Sequence, residues 1–229
     1  MIGRQFPLAL EFLPALGRAD FLIAPCNQAA AALVDAWPDW PGPHALVHGP
    51  HACGKTHLLT AWREKSGASL LDPARLTVDS LGDALDAASG AGELPAWALD
   101  GLEEVVDETL LFHLLNSVRE RRGTLLMTAR AAPSRLNFSL PDLTSRLAAA
   151  TAVVIEPPDD DLLAGLLIKL FMDRHLTVDP DVVAYILPRI ERSFAAIHEA
   201  VTALDRAGLA AKRRVTVALV RQVLFQQSQ

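Results

Sequence analysis

Cysteine is nearly absent from this sequence: there are two in 229 residues, Cys26 and Cys53. That excludes a disulfide framework of the secreted kind. Cys53 also falls inside a glycine-bearing loop, where a bridge would obstruct a ligand, so reduced thiols in a cytosol are expected. Aromatic residues make up only 6%, with a single tyrosine. Trp37, Trp40, Trp62 and Trp97 lack the interleaved cations of a single-strand stacking platform. Positive charge is not in excess: 21 Lys and Arg stand against 27 Asp and Glu, a formal net charge of −6. A wholesale electrostatic grip on DNA or on an anionic membrane is therefore not expected, because such grips need many cationic contacts. The basic clusters at 119–122 and 212–214 read as solvated helix ends or as a weak DNA contact. No apolar run has the length to span a bilayer. Arg4, Pro7, Glu11 and Pro14 interrupt the N-terminus, which does not read as a signal peptide. A cytoplasmic protein with no membrane partner is the expectation.

What the chain does have is 51% hydrophobic content, enough for one sizeable core or for a core with a small satellite. Short apolar runs at 45–47, 69–71, 94–99, 124–128 and 153–155 read as strands. Helices are expected at 27–37, 55–65 and 108–122. Strands alternating with helices imply a parallel α/β sheet. After Pro157-Pro158 the texture changes, and segments 160–174, 180–190, 194–207 and 216–225 all read as helices. The double proline marks a hinge between a sheet domain and an all-helical lid. The expected organisation is an extended arm at 1–14, an α/β nucleotide-binding domain at 15–156 and a helical lid at 157–229.

The chemistry concentrates at Gly49-Pro50-His51-Ala52-Cys53-Gly54-Lys55-Thr56, which matches the phosphate-loop pattern G-x-x-x-x-G-K-[ST]. Glycines let the backbone wrap closely, so that successive amide N–H groups point at phosphate oxygens. Lys55 supplies a point charge, the Thr56 hydroxyl a ligand for Mg²⁺, and the helix that starts there, with His57 in its first turn, its positive dipole end. The motif lies between an apolar strand and a helix, as that mechanism requires. Asp100 ends the run 94–99, where a second Mg²⁺ ligand belongs; an ordinary turn aspartate is the alternative. Gly101 stands where an acid often orients the attacking water. Glu103 and Glu104 could replace it only if the loop bends back, so weak or no autonomous hydrolysis is expected. Thr128 ends its strand, either facing the γ-phosphate and attacking water or packing as a plain strand residue. His44, His48 and His51 are split by a strand and a loop and share no face, so no further metal site is expected.

With these pieces in order, nearly the whole chain resembles the DnaA-related AAA+ family, and within it the short Hda-like regulators. Asp20 to Asn27 resembles the family's adenine-side segment, implying nucleotide contacts by Phe21, Ile23 and Asn27. Phe112-His113-Leu114-Leu115-Asn116 sits where the family has the helix after its Mg²⁺ acid. Leu140-Pro141-Asp142-Leu143-Thr144-Ser145-Arg146-Leu147 resembles the arginine-finger box, and Ile155-Glu156-Pro157-Pro158 the join to the lid. The resemblance implies an α/β P-loop AAA+ domain followed by a small helical lid, binding ADP or ATP with Mg²⁺. It implies that Arg146 is a finger presented in trans to DnaA, where it stimulates ATP hydrolysis and restrains replication initiation. The chain stops near Phe225 to Gln229, without the DNA-binding domain into which DnaA continues, which favours the regulator over an initiator.

Gln5, Leu8 and Leu10 follow a Q-x-x-L-x-L spacing, with Phe6 beside them. They resemble the peptide by which Hda-type proteins dock on the DNA polymerase sliding clamp: apolar anchors seat in a pocket and the Gln amide fixes orientation. The family's lid arginine aligns with Ala195. Either Arg192, three residues earlier, replaces it or that nucleotide sensor is absent, which makes a stably bound ADP an expectation. A homodimer stays open. The competing expectation is a stand-alone AAA+ ATPase that remodels DNA complexes or loads a helicase.

Overall fold

The computed structural model describes residues 16–72, 75, 77–87, 94–105, 107–211 and 214–225. Five parallel strands, β1 (His44–His48), β2 (Ser69–Leu71), β3 (Ala96–Leu99), β4 (Thr124–Ala129) and β5 (Thr151–Val154), form one sheet in the order β2-β3-β4-β1-β5. The three middle strands β1, β3 and β4 are buried along almost their whole length, which is why they read as unbroken apolar runs. The edge strands β2 and β5 are partly exposed and read more weakly.

Helices α1 (Gln28–Asp35) and α2 (Lys55–Ser66) cover one face of the sheet. Helices α3 (Leu81–Ala87), α4 (Glu108–Glu120) and α5 (Pro141–Ala148) cover the other. Two apolar cores follow, one containing Leu58, Leu59 and Trp62, the other Leu111, Leu114, Leu115 and Val118. Trp62 is fully buried, stacked on Trp40 with ring centroids 5.4 Å apart and met edge-on by Trp37 at 6.1 Å. These tryptophans join α1, α2 and the loop before β1, so their function is packing.

The second unit begins at α6 (Asp160–Asp173), whose first turn is capped by the Asp159 carboxylate accepting the Leu162 N–H at 2.8 Å. It continues through α7 (Pro180–Ile186), α8 (Phe194–Ala211) and α9 (Val217–Val220). A third core, with Leu163, Leu167, Phe171, Ile197, Val201 and Leu204, belongs to these helices. Leu162 and Phe194 belong instead to the core that contains Phe21 and Leu58, and so tie the lid to the sheet domain.

Two elements are missing from the sequence reading and others differ in their bounds: β3 begins two residues later than the expected 94–99, and α7 ends at Ile186 rather than at 190. α3 and α5 were not expected as helices, and β5 begins two residues earlier than the expected 153–155. The β5 difference is a matter of boundary, since the Ile155 N–H still donates to the His48 carbonyl at 2.7 Å.

Candidate functional site

The carboxyl ends of β1, β3 and β4 open on one side of the sheet, where parallel α/β folds place ligands. The phosphate loop leaves β1 there and turns directly into α2. Gly54 sits at φ +94°, in the left-handed region, and a Cβ on it would come within 2.9 Å of the Phe21 ring. Only glycine lets the loop enter the helix at this point while Phe21 closes on it. The Lys55 ammonium donates to the Gly49 carbonyl at 2.9 Å and to the Pro50 carbonyl at 2.7 Å. Phosphate binding therefore requires the lysine to turn from these carbonyls toward the cavity. Burial pushes the Cys53 thiol up, so it adds no negative charge to the loop.

Across from the loop, the Thr56 hydroxyl donates to one Asp100 oxygen at 2.8 Å and the Thr128 hydroxyl donates to the other. Thr128 in turn accepts the Gly101 N–H at 2.8 Å. Register explains the meeting: Thr128 pairs with Val47 on β1, and Leu99 lies beside Met127. Two hydroxyls and a carboxylate converge, the hard oxygen donors that Mg²⁺ takes, so the residues fit that ion at Thr56 and Asp100. Of the two sequence readings of Thr128, the geometry adds a third: its proton is committed to Asp100, which it orients.

Gly101, at φ +76°, bends the loop back. A Cβ there would meet the Glu104 carboxyl group at 3.1 Å. Both Glu103 and Glu104 line the cavity, and Glu103 is engaged by Arg130 at 3.2 Å.

A cavity of about 550 Å³ lies between this edge and the lid. Its sheet-domain wall includes Phe21, Asn27, His51, Ala52, Cys53, Gly54, Lys55, Thr56, His57, Asp100 and Thr128, all expected from sequence. Asn27 shapes that wall: its side chain accepts the Ala24 N–H at 2.9 Å and donates to the Leu22 carbonyl at 2.8 Å. His57 donates from Nε2 to the Gly17 carbonyl at 2.9 Å and meets Phe21 edge-on. Ile23 does not line the cavity; it is 56% exposed, and the neighbouring Leu22 takes its place. Gly49 and Pro50 contribute carbonyls to Lys55 rather than surface to the cavity.

The lid wall was not foreseen. It consists of one face of α6, from Leu162 through Leu166, Lys169 and Leu170 to Asp173, with Phe194 and His198 of α8. Lys169 and Asp173 form a half-buried ion pair at 2.5 Å. Their i, i+4 spacing is the one signal that could have found them. Arg192 does not line the cavity. Its guanidinium pairs with Asp160 at 2.9 Å, and both side chains are well exposed.

Arg146 stands away from the cavity on α5. The start of that helix is held by Glu108, which accepts the Ser139 N–H at 2.9 Å and the Leu140 N–H at 2.7 Å. These bonds hold the Glu108 carboxyl below the usual carboxylate range. The Arg146 guanidinium lies 5.8 Å from the centre of the Phe112 ring, and among the described residues no carboxylate pairs with it. Gln5, Phe6, Leu8 and Leu10 lie outside the described residues.

The sheet order, the phosphate loop and the appended lid define a P-loop protein of the AAA+ class. Domain III of the replication initiator DnaA from Thermotoga maritima matches with a TM-score of 0.77 at 16% identity, over 93% of this chain and 97% of that one. DnaA from Aquifex aeolicus, solved with AMPPCP bound, matches at 0.66 and 19% over 87% of this chain and 68% of that one. A RuvB variant from Thermotoga maritima reaches 0.68 at 14%, over 93% and 72%. Residues 162–224 match the family described as Hda, lid domain. The lid segment thus matches the Hda lid domain, and the chain as a whole shares the fold of these DnaA and RuvB structures. Among its described residues no helix is long and apolar enough to cross a membrane.

Proposed function

We propose that this chain binds adenine nucleotide in the cavity between sheet and lid and, so loaded, presents Arg146 to the ATP of a DnaA molecule. The observation that carries the second half is the placement of Arg146. It is remote from its own cavity, held on a helix anchored by Glu108, and paired with no carboxylate among the described residues. A guanidinium without a carboxylate partner suits a neighbour's phosphates: it stays charged and presents a planar fork. Supplied in trans, such an arginine is worth on the order of 10³–10⁵ in hydrolysis rate.

In the loaded site the loop amides and Lys55 would hold the diphosphate, and Phe21 and Leu22 would border the base. Thr56 and Asp100 would hold Mg²⁺, which neutralises phosphate charge when bound. The AMPPCP seen in the related DnaA supports the nucleotide assignment. Docking on the DNA polymerase sliding clamp through Gln5, Phe6, Leu8 and Leu10 belongs to the same reading and would bring the chain to loaded DNA. Replication initiation would be restrained as DnaA–ATP is converted to DnaA–ADP. Hydrolysis by purified DnaA, with this chain and clamp-loaded DNA added, tests the finger. Arg146→Ala should abolish the stimulation while clamp retention stays intact; unchanged stimulation removes Arg146 from the mechanism. Gln5→Ala/Leu8→Ala tests docking by clamp pull-down, and equal retention refutes it.

One observation favours a second reading, in which the chain hydrolyses ATP by itself as a remodelling ATPase or helicase loader. The Gly101 turn carries Glu104 back to the cavity, where it could activate water. Turnover by the isolated chain that falls about 100-fold or more in Glu104→Gln, the usual range for a general base, would establish it. Absence of turnover would discard it.

A further inference from the structure

His198 lies one turn into α8, on the lid wall of the cavity, with Phe194 a turn before it. The phosphate loop stands opposite. His44 and His57 meet carbonyls through Nε2 at 2.9 Å. The His198 imidazole, half-buried, makes no hydrogen bond to any described residue. The groups that act on it are Lys169 from α6, Arg174 just past the end of that helix and His51 from the phosphate loop. Arg174 is engaged by Asp205 at 3.7 Å and Lys169 by Asp173 at 2.5 Å. No carboxylate is among the groups acting on His198. A polar group without a partner, set among cations and turned toward an amide-lined loop, is arranged for an anion.

Resting on the nucleotide-site reading above, we infer that His198 is the lid's contact to the phosphates held on the loop, binding them as imidazolium, so that nucleotide binding takes up a proton. In the free protein, burial first and then Arg174 and His51 push the His198 pKa down, and the ring is neutral near pH 7. Two or more phosphate charges close by favour the protonated ring and raise its pKa in the complex. Affinity is then greatest at low pH and declines as pH rises through the raised value of the complex. Protonation of the nucleotide's own terminal phosphate acts in the opposite sense, since acid removes ligand charge near pH 6. The two effects therefore cannot be confused. The residue binds the phosphates and takes no part in bond breaking.

The test is calorimetric titration of the full chain with ADP and Mg²⁺, from about pH 6.5 to about pH 8.5. Each pH is measured in two buffers of different ionisation enthalpy, which counts the protons taken up. Wild type should weaken by up to about tenfold per pH unit, the limit for one linked proton, with measurable uptake. His198→Ala should lose both slope and uptake; if it does not fold, His198→Gln serves in its place. His198→Arg should bind without a slope. Uptake that persists in the alanine or glutamine variant, or that disappears instead in His51→Ala, overturns the inference. Absence of ADP binding by wild type at every pH refutes the nucleotide site itself and the inference with it.

Discussion

On the sheet side of the cleft the polar groups are wired together before any ligand arrives. Thr56 and Thr128 hold both oxygens of Asp100, and two carbonyls hold Lys55. On the lid side His198 has no hydrogen-bond partner among the described residues, and Arg192 is drawn away to Asp160 at the surface. The Thr56–Asp100–Thr128 cluster is preorganised, which lowers the ordering cost of binding and fixes geometry, while Lys55 has to exchange its two carbonyls for the ligand. The lid wall is arranged to respond, since a group without a partner gains most when a charged ligand enters. That asymmetry suits a site in which the loop grips and the lid reports.

Mutations separate the two walls. Lys55→Ala should cost the largest amount, about 100-fold in ADP affinity or more, from the loss of the charge-assisted contact the ammonium would make to the phosphates. Calorimetry measures it, and an effect below about threefold would show that the sheet wall is not the grip. Asp100→Asn keeps the shape but removes the charge; the stimulation of ADP binding by Mg²⁺ should fall about tenfold, within the range for a lost charged contact. A comparable Mg²⁺ response would place the ion elsewhere.

Acid should weaken the fold itself. Burial holds His44, His57 and His198 below the ordinary histidine value. The unfolded chain thus binds more protons than the folded one between the depressed values and the ordinary one. Stability is fully present above the ordinary value near pH 6.5 and declines as pH falls through it. The melting temperature should drop between about pH 7.5 and about pH 5.5, with each kcal/mol of linkage worth about 2–4 °C. His44→Gln, on the closed side of the sheet, should flatten part of this response, and a melting temperature that rises on acidification would contradict it. Arg192→Ala should do least: its exposed pair with Asp160 is worth less than about 1 kcal/mol, and ADP affinity should hold. A marked loss of affinity would return Arg192 to the cavity as the lid sensor.

The sheet wall was legible because its motif is contiguous and its residues sit at predictable strand ends. Asp100 and Thr128 could be placed from the last residues of two apolar runs. The lid wall was not. Helical spacing shows which residues are buried together but not which stripe faces a cleft, so Lys169, Asp173 and His198 gave no signal beyond spacing. Arg192 and Ala195 drew attention through family alignment, while the cavity residue stood three positions beyond Ala195. α3 did carry an unread signal: Thr77 and Ser80 exchange hydrogen bonds, backbone N–H to side-chain oxygen, at 3.0 and 3.2 Å just before it. α5 was read for its arginine alone, although Pro141 in its first turn and Leu143 and Leu147 four apart mark a short amphipathic helix.

The central claim is that the cleft between sheet and lid is an adenine-nucleotide site gripped by Lys55. Titrating ADP with Mg²⁺ into the purified chain, stripped of any nucleotide it carries, tests this most directly. The account predicts saturable one-to-one binding that Lys55→Ala removes. Absence of binding, or binding that Lys55→Ala leaves unchanged, would contradict it.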